Sequence, residues 1–180
     1  MKKTILFLSF LAFAGSVMAQ KVTTTSAVIS FDATTAKDAL PKAENKTVIA
    51  SLDKTTGTIM FEAAVNNFAF SNPMMHDHFI GDKWMNSGSF PKFTFTGKID
   101  KVKKVKFDKN GTHKVNVTGN LTIKGITKSI TIPGIIVIKD GTITSSATFS
   151  VKVAEYGISS QYIESGKVSS EPKIKVSAQF

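Results

Sequence analysis

With 180 residues and no cysteine, the chain folds on its hydrophobic core alone, without disulfides, thiolate metal ligands or thiol-linked lipid. Its formal charge of +10 comes from 23 basic residues against 13 acids, and every basic residue is a lysine. Nucleic acid is not an expected partner: arginine, the bidentate reader of bases and phosphates, is missing, and the lysines are dispersed in the manner of a solvated surface.

In chain order, the first feature is a processing signal. Lys2 and Lys3 precede an apolar run over residues 5–14, and Val17, Met18 and Ala19 supply the small residues a signal peptidase reads. Residues 1–19 are therefore predicted to be a signal peptide, and residues 20–180 a single domain starting at Gln20. The apolar run is too short to span a bilayer and no second long one follows, so no transmembrane segment is expected.

Beyond that point period-two alternation dominates, the pattern of strands with one wet and one dry face. Strands are predicted around residues 27–31 and 47–52. Then Ile59, Phe61, Ala63 and Val65 share one face, as do Phe93, Phe95, Gly97 and Ile99. Val115, Val117, Gly119, Leu121 and Ile123 continue the pattern. The cleanest stretch sets Ile143, Ser145, Ala147, Phe149, Val151 and Val153 against a wholly polar opposite face, and residues 173–180 alternate once more through Ile174, Val176 and Ala178. Turn signals separate the runs: residues 53–57, Asn110-Gly111, Lys124-Gly125 and Asp140-Gly141, with the Asn-Gly and Asp-Gly pairs predicted as type I′ hairpins. The count is about eight strands joined mostly by short turns, which stack into a sandwich or close into a barrel. Gly97, Gly119 and Gly134 on the apolar face favour a barrel with space inside it.

Residues 68–91 (FAFSNPMMHDHFIGDKWMNSGSFP) break the alternation. Pro73 suits the first turn of a short helix carrying Met74, Met75, His78 and Phe79. A connection this rich in Met and Phe is either a lid over a cavity or a plug in one end of the barrel.

Here the sequence resembles a known family. Gly119 to Lys128, GNLTIKGITK, is similar to the GxLTIxGxTK signature of the YceI-like family of bacterial lipid-binding proteins. Met74-Met75-His76-Asp77-His78-Phe79, then Trp84-Met85 and Phe90-Pro91-Lys92-Phe93-Thr94-Phe95, resemble that family's HF…YM…YPxxxF region. Glu155-Tyr156-Gly157-Ile158 resembles its late DYG or DFG element. The resemblance runs in order from about Ala27 to Phe180. It implies an all-β, eight-stranded antiparallel lipocalin-like barrel with a short helical or irregular lid, periplasmic, holding an isoprenoid or other long-chain amphiphile. Two departures stand out: Val153 occupies a position where many members carry arginine, and Asn86-Ser87-Gly88-Ser89 replaces an acidic, Phe-rich run.

On this reading the residues expected to line the ligand are Phe61, Phe93, Phe95, Leu121 and Phe149 from strands, with Phe68, Phe70, Met74, Phe79 and Trp84 from the lid. For each, ordinary core packing is the alternative. His76 and His78 would share a face only on a strand, so no metal site is expected, and no cofactor. No G-x-S-x-G, H-E-x-x-H or phosphate-binding glycine loop occurs, and an enzyme is not expected; Glu155 is read as an acid that bonds turn backbone. Lys98, Lys101, Lys103, Lys104, Lys106 and Lys109 form the densest charge run, either a solvated hairpin or a transient contact for an anionic membrane surface. The rival to a carrier is a filled all-β module of the cell envelope that binds other proteins.

Overall fold

The computed structural model describes residues 21–180, so the predicted signal peptide and cleavage site lie outside the described residues. Strands β1 (Lys21–Asp32), β2 (Lys42–Asp53), β3 (Thr58–Ala64) and β4 (Ala69–Phe70) lead to helix α1 (Pro73–Ile80). Strands β5 (Lys92–Ile99), β6 (Gly111–Ile123), β7 (Ile126–Lys139) and β8 (Thr142–Ser150) follow, then the single-turn α2 (Gln161–Glu164) and β9 (Lys173–Gln179). All pairings are antiparallel, in the order β1-β9-β8-β7-β6-β5-β3-β2, and β1 pairs again with β2. The sheet thus closes on itself as an eight-stranded barrel. The two-residue β4 lies outside the ring, extending the β3 edge of β2 through Ala43–Phe70 and Glu44–Ala69.

Strand directions define two ends. The base carries the turn at residues 53–57, the connection 100–110 and the Asp140-Gly141 hairpin. The mouth carries residues 33–41, the long connection 65–91, the Lys124-Gly125 hairpin and residues 151–172. At the base, Asp53 Oδ1 accepts from the backbone N–H groups of Thr55 and Thr56 at 2.8 and 3.0 Å. Those bonds, the Thr56 one foremost, hold its carboxyl below the ordinary range. Asp140 and Gly141 both have positive φ (51° and 82°), as a type I′ turn requires, and so do Lys124 and Gly125 (49° and 75°).

Three differences from the sequence reading are instructive. The longest strand, β7, is not among the alternating runs, because Pro133 and Gly134 interrupt it and its outer face shows Ile135 and Val137. Pro133 is tolerated because the β7–β8 ladder starts only at Gly134. Asn110-Gly111 is no type I′ hairpin. β5 and β6 are joined by the longer connection 100–110, and the Asn110 side chain instead accepts from Asp140 N–H at 2.8 Å and donates to Asp140 Oδ1 at 3.0 Å. Finally, Gly97 and Gly119 leave no space. They face each other across β5 and β6, so closely that a Cβ on Gly119 would lie 2.4 Å from Gly97 Cα.

Candidate functional site

The inward faces of the strands enclose an apolar cavity of about 150 Å³ in the barrel. Its walls are strand residues at alternating positions: Ile29 and Phe31 on β1, Ile59 and Phe61 on β3, Phe93 and Phe95 on β5, Leu121 and Ile123 on β6, Ile132 and Ile136 on β7, Ala147 and Phe149 on β8. Gly134 and Ala147, directly paired, are the smallest of the lining residues. Among the described residues no ionisable side chain lines it. The hydroxyls of Ser145 and Ser146 are the only side-chain oxygens among the lining residues, and strand alternation turns Ser146 to the outer surface.

The mouth is stopped from two sides. Phe68, Phe79 and Met85 come from the 65–91 connection, and Val151, Val153, Ile158 and Pro172 from residues 151–172. Helix α1 forms where Pro73 suggests: Asn72 caps it, accepting from Met74 N–H at 2.9 Å. Phe79 is its buried residue, and its ring stands 5.9 Å from Phe31, 5.7 Å from Phe68, 5.1 Å from Phe70 and 6.4 Å from Phe93, in tilted and edge-on geometries. Met85 is seated beside it by its N–H donating to the Phe79 carbonyl at 3.1 Å. Near the rim, the Thr34 hydroxyl donates to Asp32 at 2.7 Å and holds that carboxyl low. Burial pushes the Tyr156 phenol up.

Of the ten residues named from sequence, Phe61, Phe68, Phe79, Phe93, Phe95, Leu121 and Phe149 border the cavity. Phe70, Met74 and Trp84 do not. Phe70 stands behind Phe79. Trp84 packs half-buried on the core in the turn after α1. Met74 is 65% exposed, since five residues of helix place it about 140° around the axis from Phe79. Phe31, Met85, Ile158 and Pro172 also border the cavity; Phe31 stands at the end of an alternating run and Met85 and Ile158 in the family-like elements, signals that could have found them, while Pro172 carries none.

The remaining polar groups do not converge. His76 Nε2 lies 3.1 Å from the Asn66 carbonyl, while His78 stacks on Tyr162 with centroids 6.1 Å apart, so the pair diverges as helical spacing demands. Among the described residues no three His, Asp or Glu side chains form a group that could hold a metal ion. Glu155 is exposed, on the 3-10 turn Val153–Tyr156 that ends at Gly157 (φ 66°). Lys101, Lys103, Lys104, Lys106 and Lys109 lie on the 100–110 connection at the base, away from the mouth.

A closed eight-stranded barrel around an apolar cavity, with a helix-bearing connection over one end, defines the lipocalin-like class. Within that class the chain belongs to the YceI-like domain family, whose model matches residues 9–180. It is similar to the crystal structure of Burkholderia cenocepacia BcnA (22% identity, 86% of this chain and 96% of that one, TM-score 0.70). It is also similar to a polyisoprenoid binding domain from Saccharophagus degradans (12% identity, 89% and 97% covered, TM-score 0.75). A third likeness is the Campylobacter jejuni YCEI protein (18% identity, 100% and 99% covered, TM-score 0.55). No curated protein matches the chain in sequence. Among the described residues no helix is long and apolar enough to cross a membrane.

Proposed function

We propose that this protein is a periplasmic carrier that holds an isoprenoid or other long-chain amphiphile in its barrel and does not turn it over. The observation that carries the proposal is the cavity: apolar, without an ionisable side chain among the described residues, and stopped at one end by aromatic rings. Such a lining offers nothing to activate a nucleophile or water, but it favours hydrocarbon. Each methylene taken from water contributes roughly 0.8 kcal/mol, so about ten buried carbons give about 8 kcal/mol before the cost of ordering the chain. The polyisoprenoid binding domain from Saccharophagus degradans, which shares the fold, points to the same chemistry. Export is supported by Lys2, Lys3, the apolar residues 5–14 and the Val17-Met18-Ala19 cleavage signal.

About 150 Å³ is the volume a benzene-sized guest fills. A longer chain therefore needs the stopper to yield, and Phe68 and Phe79, on the connection rather than on the ring of strands, are the rings placed to move. The connection is in this sense both plug and lid. Native mass spectrometry of the exported protein tests the proposal. A hydrophobic mass released by organic solvent is the expected result. Protein that carries none, and takes up none from lipid extracts, would be a filled envelope module instead.

A further inference from the structure

Among the described residues Ser145 is the one polar side chain turned into the cavity, and its Oγ has no hydrogen-bond partner there although the residue is only 7% exposed. Its cross-strand neighbours offer none: Ile136 on β7 and Ala178 on β9 are both apolar and buried. Leaving a buried hydroxyl unbonded is costly, and proteins rarely do so without a use for the group. Water is a poor partner here, because a buried water needs two to four polar contacts and this lining provides one.

The depth of the residue matters as much as its chemistry. Ile136, opposite Ser145, borders the cavity; Ile138 and Ile143, the next inward residues toward the base, do not. On the β7–β8 side Ser145 therefore stands at the lower limit of the cavity, its floor there, four residues and about 13 Å along β8 from Phe149 near the mouth.

Resting on the carrier reading, we infer that Ser145 Oγ bonds a neutral oxygen, carbonyl or hydroxyl, at the leading end of the bound lipid, which is buried with that end at the floor and its hydrocarbon toward the stopper. A charged head group is excluded from that position, since no cation lines the cavity and an unpaired ion in an apolar interior is strongly disfavoured. A hydroxyl can donate to a carbonyl and can either donate to or accept from an alcohol, so both sources of oxygen satisfy it.

Three fifteen-carbon probes separate the possibilities: farnesol, farnesal and the hydrocarbon farnesene, titrated into the mature protein with Trp84 fluorescence as readout. Ser145→Ala is expected to weaken farnesol, farnesal or both by about three- to tenfold, the worth of one neutral hydrogen bond, and to leave farnesene unchanged. Ser145→Thr, which keeps the hydroxyl, is expected to restore the lost affinity. The ligand-free Ser145→Ala protein is expected to melt about 2–4 °C higher, because an unbonded buried hydroxyl has been removed. A lower melting temperature would show that the hydroxyl is bonded within the protein, and equal effects on all three probes would show no oxygen at the floor; either overturns the inference while the carrier reading stands. If the unmodified protein binds none of the three, the carrier reading falls and the inference with it.

Discussion

The two ends of the barrel are closed by different means. At the base, Leu52, Ile138 and Ile143 meet inside the strands, and Val105 and Phe107 from the 100–110 connection pack onto the same core. None of these residues borders the cavity, which reaches toward the base at Ile59 and Ile99, and they form a packed layer beneath it. At the mouth, Phe68, Phe79, Met85 and Ile158 come from connections, and each has one side on empty space. Aliphatic side chains on hydrogen-bonded strands interlock. Rings on a short helix and a turn fill space without being interlocked by strand pairing, so one end confers stability and, on the carrier reading proposed above, the other controls passage.

Substitutions sharpen that contrast. Ile138→Ala at the base is expected to cost about 4 kcal/mol in urea unfolding, toward the upper part of the range for large-to-small core changes, because strands on both sides prevent collapse. Phe79→Ala at the mouth is expected to cost about 3 kcal/mol or less, since one face of that ring already lacks partners. It should instead speed lipid release, followed by stopped-flow Trp84 fluorescence. If Phe79→Ala proves the more destabilising of the two, the division between ends is wrong. Ala147→Leu projects a larger side chain into the cavity. It is expected to lower lipid affinity about tenfold or more, read by co-purified mass, with a change in stability of under about 1 kcal/mol.

The smallest expected effect is that of acid. At the mouth, Asp32 is held low first by the Thr34 hydroxyl, and Glu44 first by Lys46 (3.0 Å) and also by the Ser30 hydroxyl (3.2 Å); at the base Asp53 is held low by turn N–H groups. Because these folded-state values lie below the unfolded ones, the support they give is complete above the ordinary carboxylate range near pH 4 and fades as pH falls through the depressed values. Thermal melts should show a modest loss there and no gain. A melting temperature that rose on acidification would contradict the assigned bonds.

Much of this architecture was legible in the sequence because a half-wet strand writes itself as alternation. Phe93, Phe95, Leu121 and Phe149 were found that way, and each borders the cavity. What alternation cannot read is the aim of a side chain outside a strand. Met74 and Phe79 look equivalent as large apolar residues, yet the turn of α1 sends one to solvent and one to the core. Nor could the sequence distinguish glycines: Gly119 serves close approach of two backbones, Gly97 makes room for the Phe95 ring, and Gly134 lies against the Ser146 carbonyl, differences set by which groups lie opposite. Ser145 was visible as a polar residue on a dry face. That its hydroxyl finds no partner depends on neighbours from β7 and β9, far away in the chain.

The late start of the β7–β8 ladder has a consequence of its own. Residues 126–133 pair with β6 but with no strand on the other side among the described residues, so a barrel that abolishes sheet edges near its base retains a short one near its mouth. Such an edge invites a foreign strand to add to it. Lys128 and Pro133 stand along it, a charge that resists burial and a residue with no N–H to offer, and together they discourage the barrel from extending into its neighbours.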